Sequence, residues 1–285
     1  CPANSDTDGT GKTLKGECLC NAGYTGADGG ACTACLAGTY KTAPGSAACD
    51  NCLAGTYQSE LGWTLDCLSC PAHTNSAAQS GSLGDCSCNA GYTEPAGGGA
   101  CQACAAGTWK SISGSGACTA CVQGTYAAAV GATSNVCASC PANSDTDGTG
   151  KTLKGECLCN AGYTGADGGA CTACLAGTYK TAPGSAACDN CLAGTYQSEL
   201  GWTLDCLSCP AHTNSAAQSG SLGDCSCNAG YTEPAGGGAC QACAAGTWKS
   251  ISGSGACTAC VQGTYAAAVG ATSNVCASCP ANSDT

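Results

Sequence analysis

The sequence predicts small disulfide-rich repeats: irregular short β-hairpins and turns with almost no helix, stacked into an elongated rod. Three observations lead there. The stretch from Cys1 to Ser139 recurs without a mismatch as Cys140 to Ser278, and a third copy opens at Cys279 with CPANSDT. Cysteines number 33, sixteen in each 139-residue period. Large apolar side chains are scarce, with no Phe, no Met and only 5% aromatics. Self-similarity at a fixed period is the mark of an array. An active site gains little from being copied verbatim, so the array points to a structural object rather than an enzyme.

The hydrophobic fraction of 44% is supplied largely by Ala and Cys, which cannot fill a large core. Covalent links must take the place of burial. A cross-link closing a loop of about 15 residues stabilises by roughly 3 kcal/mol in the chain-entropy model, so several per half-period can hold modules that packing alone cannot. Such cysteine density belongs to an oxidising compartment, extracellular or at the cell surface. The sequence starts at Cys1 rather than Met and reads as an internal or mature segment. Its longest apolar stretch, Tyr126 to Ala132, is far short of the ~20 residues that span a bilayer, so no membrane insertion is expected here. Net charge is −11 and the eight basic residues are all Lys. Nucleic-acid binding, which needs a basic stripe, is excluded on that ground.

The period divides into two related halves. Cys1-Pro-Ala-Asn-Ser answers to Cys70-Pro-Ala-His-Thr, and the run from Cys18 through Thr25 answers to the run from Cys86 through Thr93. The expected units are therefore 1–69, 70–139, 140–208 and 209–278, with 279–285 beginning the next repeat. Long cysteine gaps alternate strictly with steps of two or three residues. A smaller module recurs inside this frame: CLAGTY at Cys35 and Cys52, CAAGTW at Cys104, CVQGTY at Cys121. The Gly two residues before the aromatic suits a turn with positive φ, and the Thr-aromatic pair suits a short extended segment. Two-stranded ribbons joined by turns follow. The aromatics Tyr40, Tyr57, Trp109 and Tyr126 are expected to lie against disulfides, since they are nearly the only bulky groups available. No segment carries apolar residues at helical spacing over three turns.

The run CLCNAGYTGADGGAC, Cys18 to Cys32, has a looser copy from Cys86 to Cys101. It resembles the last third of an EGF-like module. The C-x-x-C-x-x-G-T-Y units resemble the cysteine-rich repeats of ephrin-receptor-like modules, found in surface proteins of algae and other protists. Complete EGF-like modules are not present, because their first two cysteines lack the usual spacing. The EGF-like resemblance implies a terminal loop closed by Cys20 and Cys32. It also implies an O-linked sugar on the Thr of C-x-x-G-x-T-G, matched at Thr25 and Thr164. Thr93 departs from that pattern because Glu94 follows it.

The same residues bear on other chemistries. C-x2-C-x13-C-x2-C, from Cys32 to Cys52, is close to zinc-ribbon spacing, but zinc leaves Cys18 and Cys20 without a role. A redox C-x-x-C needs one reactive pair on a βαβ scaffold rather than many equivalent ones. Asn4, Asp6 and Asp8 before Gly9, repeated as Asn143, Asp145 and Asp147, match the first half of a calcium loop. Position twelve, however, is Lys15 where a bidentate Glu belongs. Calcium is the single cofactor to consider. His73 and its copy His212 sit in polar loops with no Ser/His/Asp grouping nearby, so no catalytic residue is assigned.

The pairing expected on loop entropy closes each long gap with its own bridge. In the first period these are Cys1–Cys18, Cys20–Cys32, Cys35–Cys49, Cys52–Cys67, Cys70–Cys86, Cys88–Cys101, Cys104–Cys118 and Cys121–Cys137. In the second they are Cys140–Cys157, Cys159–Cys171, Cys174–Cys188, Cys191–Cys206, Cys209–Cys225, Cys227–Cys240, Cys243–Cys257 and Cys260–Cys276. Cys279 then has no partner before Thr285. A crossed scheme, Cys32–Cys49 with Cys35–Cys52 as in tumour-necrosis-factor-receptor-like modules, stays open. The functional expectation is a subunit of an extracellular filament, such as a flagellar hair, or of a surface coat of a unicellular eukaryote. Its partners would be other copies of itself, neighbouring filament subunits and O-linked glycans. The alternative is the stalk of a receptor or adhesin ectodomain.

Overall fold

The computed structural model describes all residues except Gly97, Gly236, Asn282, Asp284 and Thr285. Part of the expected 279–285 segment therefore lies outside the described residues. Every sheet among the described residues is a two-stranded antiparallel hairpin. Helical structure there is limited to three-residue 3-10 turns such as Lys15–Glu17 and Leu83–Asp85.

The chain groups into two compact units that follow the period. The first is Cys1–Ser139 with Gly148–Leu153, and the second is Cys140–Asp147 with Lys154–Thr285. In the first unit the strands are β1 (Ser5–Thr7), β2 (Cys18–Cys20), β3 (Tyr24–Thr25), β4 (Thr33–Ala34), β5 (Thr39–Tyr40), β6 (Asp50–Asn51), β7 (Thr56–Tyr57) and β8 (Leu68–Ser69). They continue as β9 (Thr74–Asn75), β10 (Ser87–Cys88), β11 (Tyr92–Thr93), β12 (Gln102–Ala103), β13 (Thr108–Trp109), β14 (Thr119–Ala120), β15 (Thr125–Tyr126) and β16 (Ala138–Ser139). Each odd strand pairs with the even strand after it, for example Thr39 opposite Asn51 and Tyr40 opposite Asp50. The second unit repeats this order from β17 (Ser144–Thr146) to β32 (Ala277–Ser278).

The short steps between cysteines form the second strands of the hairpins, because a chain returning from a closed loop meets the extended segment near its start and completes its hydrogen bonds.

The apolar part of the core consists of cysteine and alanine. In the first unit its buried apolar residues are Cys18, Cys20, Cys35, Cys52, Cys88, Cys104, Cys121, Ala127 and Ala132. The largest fully buried side chains that are not Cys are Gln58 and Gln197, while Leu36 and Leu53 remain about 70% exposed. Burial cannot be the main source of stability in such a chain.

Candidate functional site

The feature with functional content is the repeated cross-link together with the backbone that seats it. Cys35 is buried and bonded to half-exposed Cys49, with Cα atoms 5.8 Å apart. The structure joins Cys1 to Cys18, Cys20 to Cys32, Cys52 to Cys67, Cys70 to Cys86, Cys88 to Cys101, Cys104 to Cys118 and Cys121 to Cys137 in the same sequential way. The second unit pairs its cysteines identically, from Cys140–Cys157 through Cys260–Cys276. All Cα separations fall at the ordinary distance for a disulfide. Cys279 is the free cysteine of the described chain.

One glycine per module organises the backbone around each bridge. The N–H of Gly38 donates to Gln58 O at 2.7 Å, and the carbonyl of Gly38 accepts from Cys52 N at 2.9 Å. Gly23, Gly55, Gly91 and Gly107 make the equivalent pair of bonds. Gly38 has φ +81°, and a Cβ there would collide with the carbonyl oxygen of Gln79. The position thus demands both the left-handed backbone and the missing side chain. In the modules that begin Cys-Pro-Ala, Asn4 (φ 61°) and His73 (φ 63°) fill the same turn. Asn and His are among the non-glycine residues that tolerate this region.

The position after the aromatic points inward. Lys41 is 4% exposed, and its Nζ donates to Tyr24 O at 2.8 Å and also to Gly45 O. Lys110 is buried in the same way on Tyr92 O and Gly114 O. Lys180 and Lys249 repeat both arrangements in the second unit. Gln58 takes this position one module later. Its Oε1 accepts from Glu60 N at 2.7 Å, while its buried Nε2 has no partner. Sequence reasoning missed these inward lysines. Their signal was a Lys directly after the aromatic and four residues before a Gly.

The aromatic rings are half-buried rather than enclosed, and their backbones carry further bridges, Tyr57 to Ser80 and Trp109 to Ala132. His73 is exposed and stacks on Tyr92, with ring centroids 4.2 Å apart and planes 10° apart. The Oγ1 of Thr25 donates to Ala47 O at 3.1 Å, and Thr164 donates to Ala186 O at 3.0 Å. Both candidate sugar-bearing hydroxyls are therefore engaged. Asn4 lies in its turn while Asp6 lies in β1, opposite Leu19, with its Oδ1 accepting from Thr7 N. Asp8 follows beyond the strand, and Asn143, Asp145 and Asp147 fall at the same points of the second unit, Asp145 opposite Leu158 in β17. Asp6 and Asp8 line one open groove together with Leu19 and Asn21, while Asn4 occupies the turn that leads into β1. Among the described residues no three His, Cys, Asp or Glu side chains group so as to hold a metal.

Glu17 organises the loop before β2. Its Oε2 accepts from Thr13 N and Leu14 N, each at 2.8 Å, and Oε1 lies 3.9 Å from Lys12 Nζ. The Leu14 and Thr13 amides, and then Lys12, hold its carboxyl below the usual carboxylate value. Two equivalent open grooves, of about 530 and 560 Å³, run beside the Cys88–Cys101 and Cys227–Cys240 bridges. Glu94 and Glu233 are the ionisable side chains lining them. A lone carboxylate beside bonded cysteines offers no acid/base pair.

Among the described residues no helix is long and apolar enough to cross a membrane. No curated protein matches the chain. A family model, tyrosine-protein kinase ephrin type A/B receptor-like, matches four times in tandem, at residues 23–64, 91–136, 162–203 and 230–275. The matches begin at the turn glycines Gly23, Gly91, Gly162 and Gly230, so they register on the hairpin modules built above. With sequential disulfides and family matches running together through both periods, the chain belongs to the ephrin type A/B receptor-like family of cysteine-rich repeats, modules of extracellular structural or receptor-stalk type.

Proposed function

We propose that the chain is a structural subunit of an extracellular filament or surface coat, assembled from identical 139-residue repeats and working through covalent continuity rather than catalysis. The observation that carries this reading is the identity of the two periods, residue for residue. A binding ectodomain concentrates its specificity in one diverged module, whereas interchangeable modules serve a load-bearing or space-filling array. The flagellar-hair type of fibre and a unicellular eukaryotic source are the forms of this proposal favoured by the sequence resemblance. Electron microscopy of native material, labelled with an antibody to the 139-residue repeat, tests it. Regularly spaced label along a fibre or coat is the expected result, and label confined to isolated cell-surface molecules would overturn it.

The receptor-like family match favours a second reading, in which the same modules form the stalk of a receptor or adhesin. A stalk would appear as single membrane-anchored chains ending in a module of different sequence.

A further inference from the structure

We propose that each period contains one unbroken covalent load path, made only of disulfides and hydrogen-bonded strand segments, which limits extension and keeps the chain joined after its loops are cut. The path follows from the sequential pairing. Tension entering at Cys1 crosses the bridge to Cys18, passes Leu19, enters Cys20 and crosses to Cys32. It continues in this way to Cys137. The backbone between one bridge and the next is one or two residues long, and every such step lies in an even-numbered strand, β2 to β16. The remaining backbone lies in loops that each bridge bypasses.

Two consequences are measurable. The bridges span 5.4 to 5.8 Å between Cα atoms, and the short steps add at most ~3.6 Å per residue. An oxidised period therefore cannot exceed about 120 Å, against about 500 Å for the same period reduced, at the same ~3.6 Å per residue. The second consequence concerns cleavage. Lys12 and Lys15 lie inside the Cys1–Cys18 loop, Lys41 inside Cys35–Cys49 and Lys110 inside Cys104–Cys118. The lysines of the second period are placed likewise, at 151, 154, 180 and 249. Cleavage after any lysine opens a loop but leaves the path intact.

The test is single-molecule pulling of the full chain by its two ends, independent of any filament. Without reductant the extension should saturate near 120 Å per period. A dithiol then reduces bridges under load, its two thiols becoming a cyclic disulfide as each protein cystine becomes two cysteine thiols. Each event should release one loop, in steps of roughly 35 to 55 Å at ~3.5 Å per residue. Oxidised extension well beyond the limit, or steps of other sizes, would overturn the proposal. A parallel tryptic digestion should leave one covalent species on a non-reducing gel and separate fragments only after reduction. Release without reduction of any species larger than the tripeptides 13–15 and 152–154, which paired cuts free from within a single loop, would sink the proposal equally.

Discussion

The ammonium of Lys41 rests 2.8 Å from the carbonyl oxygen of Tyr24, so a buried cation joins β3 to the loop that follows β5. Gly45, whose carbonyl takes a second bond from the same nitrogen, itself donates to Cys20 O. Replacing Lys41 by Met strands both carbonyls, at a cost of about 2–3 kcal/mol for charged hydrogen bonds lost. Gln58→Met at the corresponding position loses one ordinary bond and removes an unpartnered donor, for a net change of about 1 kcal/mol or less. Hydrogen exchange at the Gly23 and Gly45 amides, against Gly38 and Gly62 for the Gln58 variant, measures the difference. Equal effects would show that the lysine's bonds do not stabilise the junction.

Gly38→Ala and Gly9→Ala separate backbone strain from collision. Both positions have positive φ, but a Cβ at Gly9 meets nothing within 4 Å, whereas at Gly38 it strikes Gln79. Gly9→Ala should cost about 1 kcal/mol, the ordinary penalty for a left-handed alanine. Gly38→Ala should cost several-fold more and expose Cys52 to thiol-disulfide exchange. Comparing reduction rates of Cys52–Cys67 in the two variants tests this, and equal rates would contradict the packing described.

Glu17 provides a pH dependence with a definite sign. Its folded-state value lies below the ordinary 4.5. The carboxylate's contribution is therefore complete above that ordinary value and is lost as pH falls through the lowered one. Amide resonances of Thr13 and Leu14 should move together in acid, below the normal carboxylate range. Glu17→Gln should abolish the coupled movement.

Heat and reduction should act very differently. Loops of 12 to 17 residues gain about 3 kcal/mol each from closure, while the core offers mainly Cys and Ala. Circular dichroism should change little on heating the oxidised chain and collapse on reduction at ordinary temperature. A cooperative melt surviving full reduction would show that packing contributes more than the buried residues indicate. In denaturant without reductant, a chain ending at Thr285 should titrate one thiol, at Cys279.

The hairpin fold was readable because gap alternation and the Gly-Thr-aromatic turn are local signals. Loop size favours Cys35–Cys49 while leaving the crossed Cys32–Cys49 pairing open, and Gly38 follows from the turn it must make. The seat of Lys41 was not readable, since a lone Lys reads as solvated until the chain returns with carbonyls to receive it. The role of His73 was hidden for another reason. It occupies a glycine's conformation, and its stacking on Tyr92 depends on how β9 to β12 follow one another. The second-strand role of Asp50 and Asn51 was equally non-local, because a two-residue step carries no periodicity of its own.

The inward lysines also alter what neighbouring molecules meet. Nineteen acidic residues are spread through the sequence against eight lysines, and Lys41, Lys110, Lys180 and Lys249 are withdrawn from solvent. The outer face is therefore a more strongly anionic surface than the formal net charge conveys. Such a face holds a counter-ion cloud and repels its like over a Debye length, about 8 Å at physiological salt. In the proposed filament or coat, adjacent chains would stand apart in dilute medium and draw together as salt or divalent ions thin that cloud, so ionic strength would set their spacing.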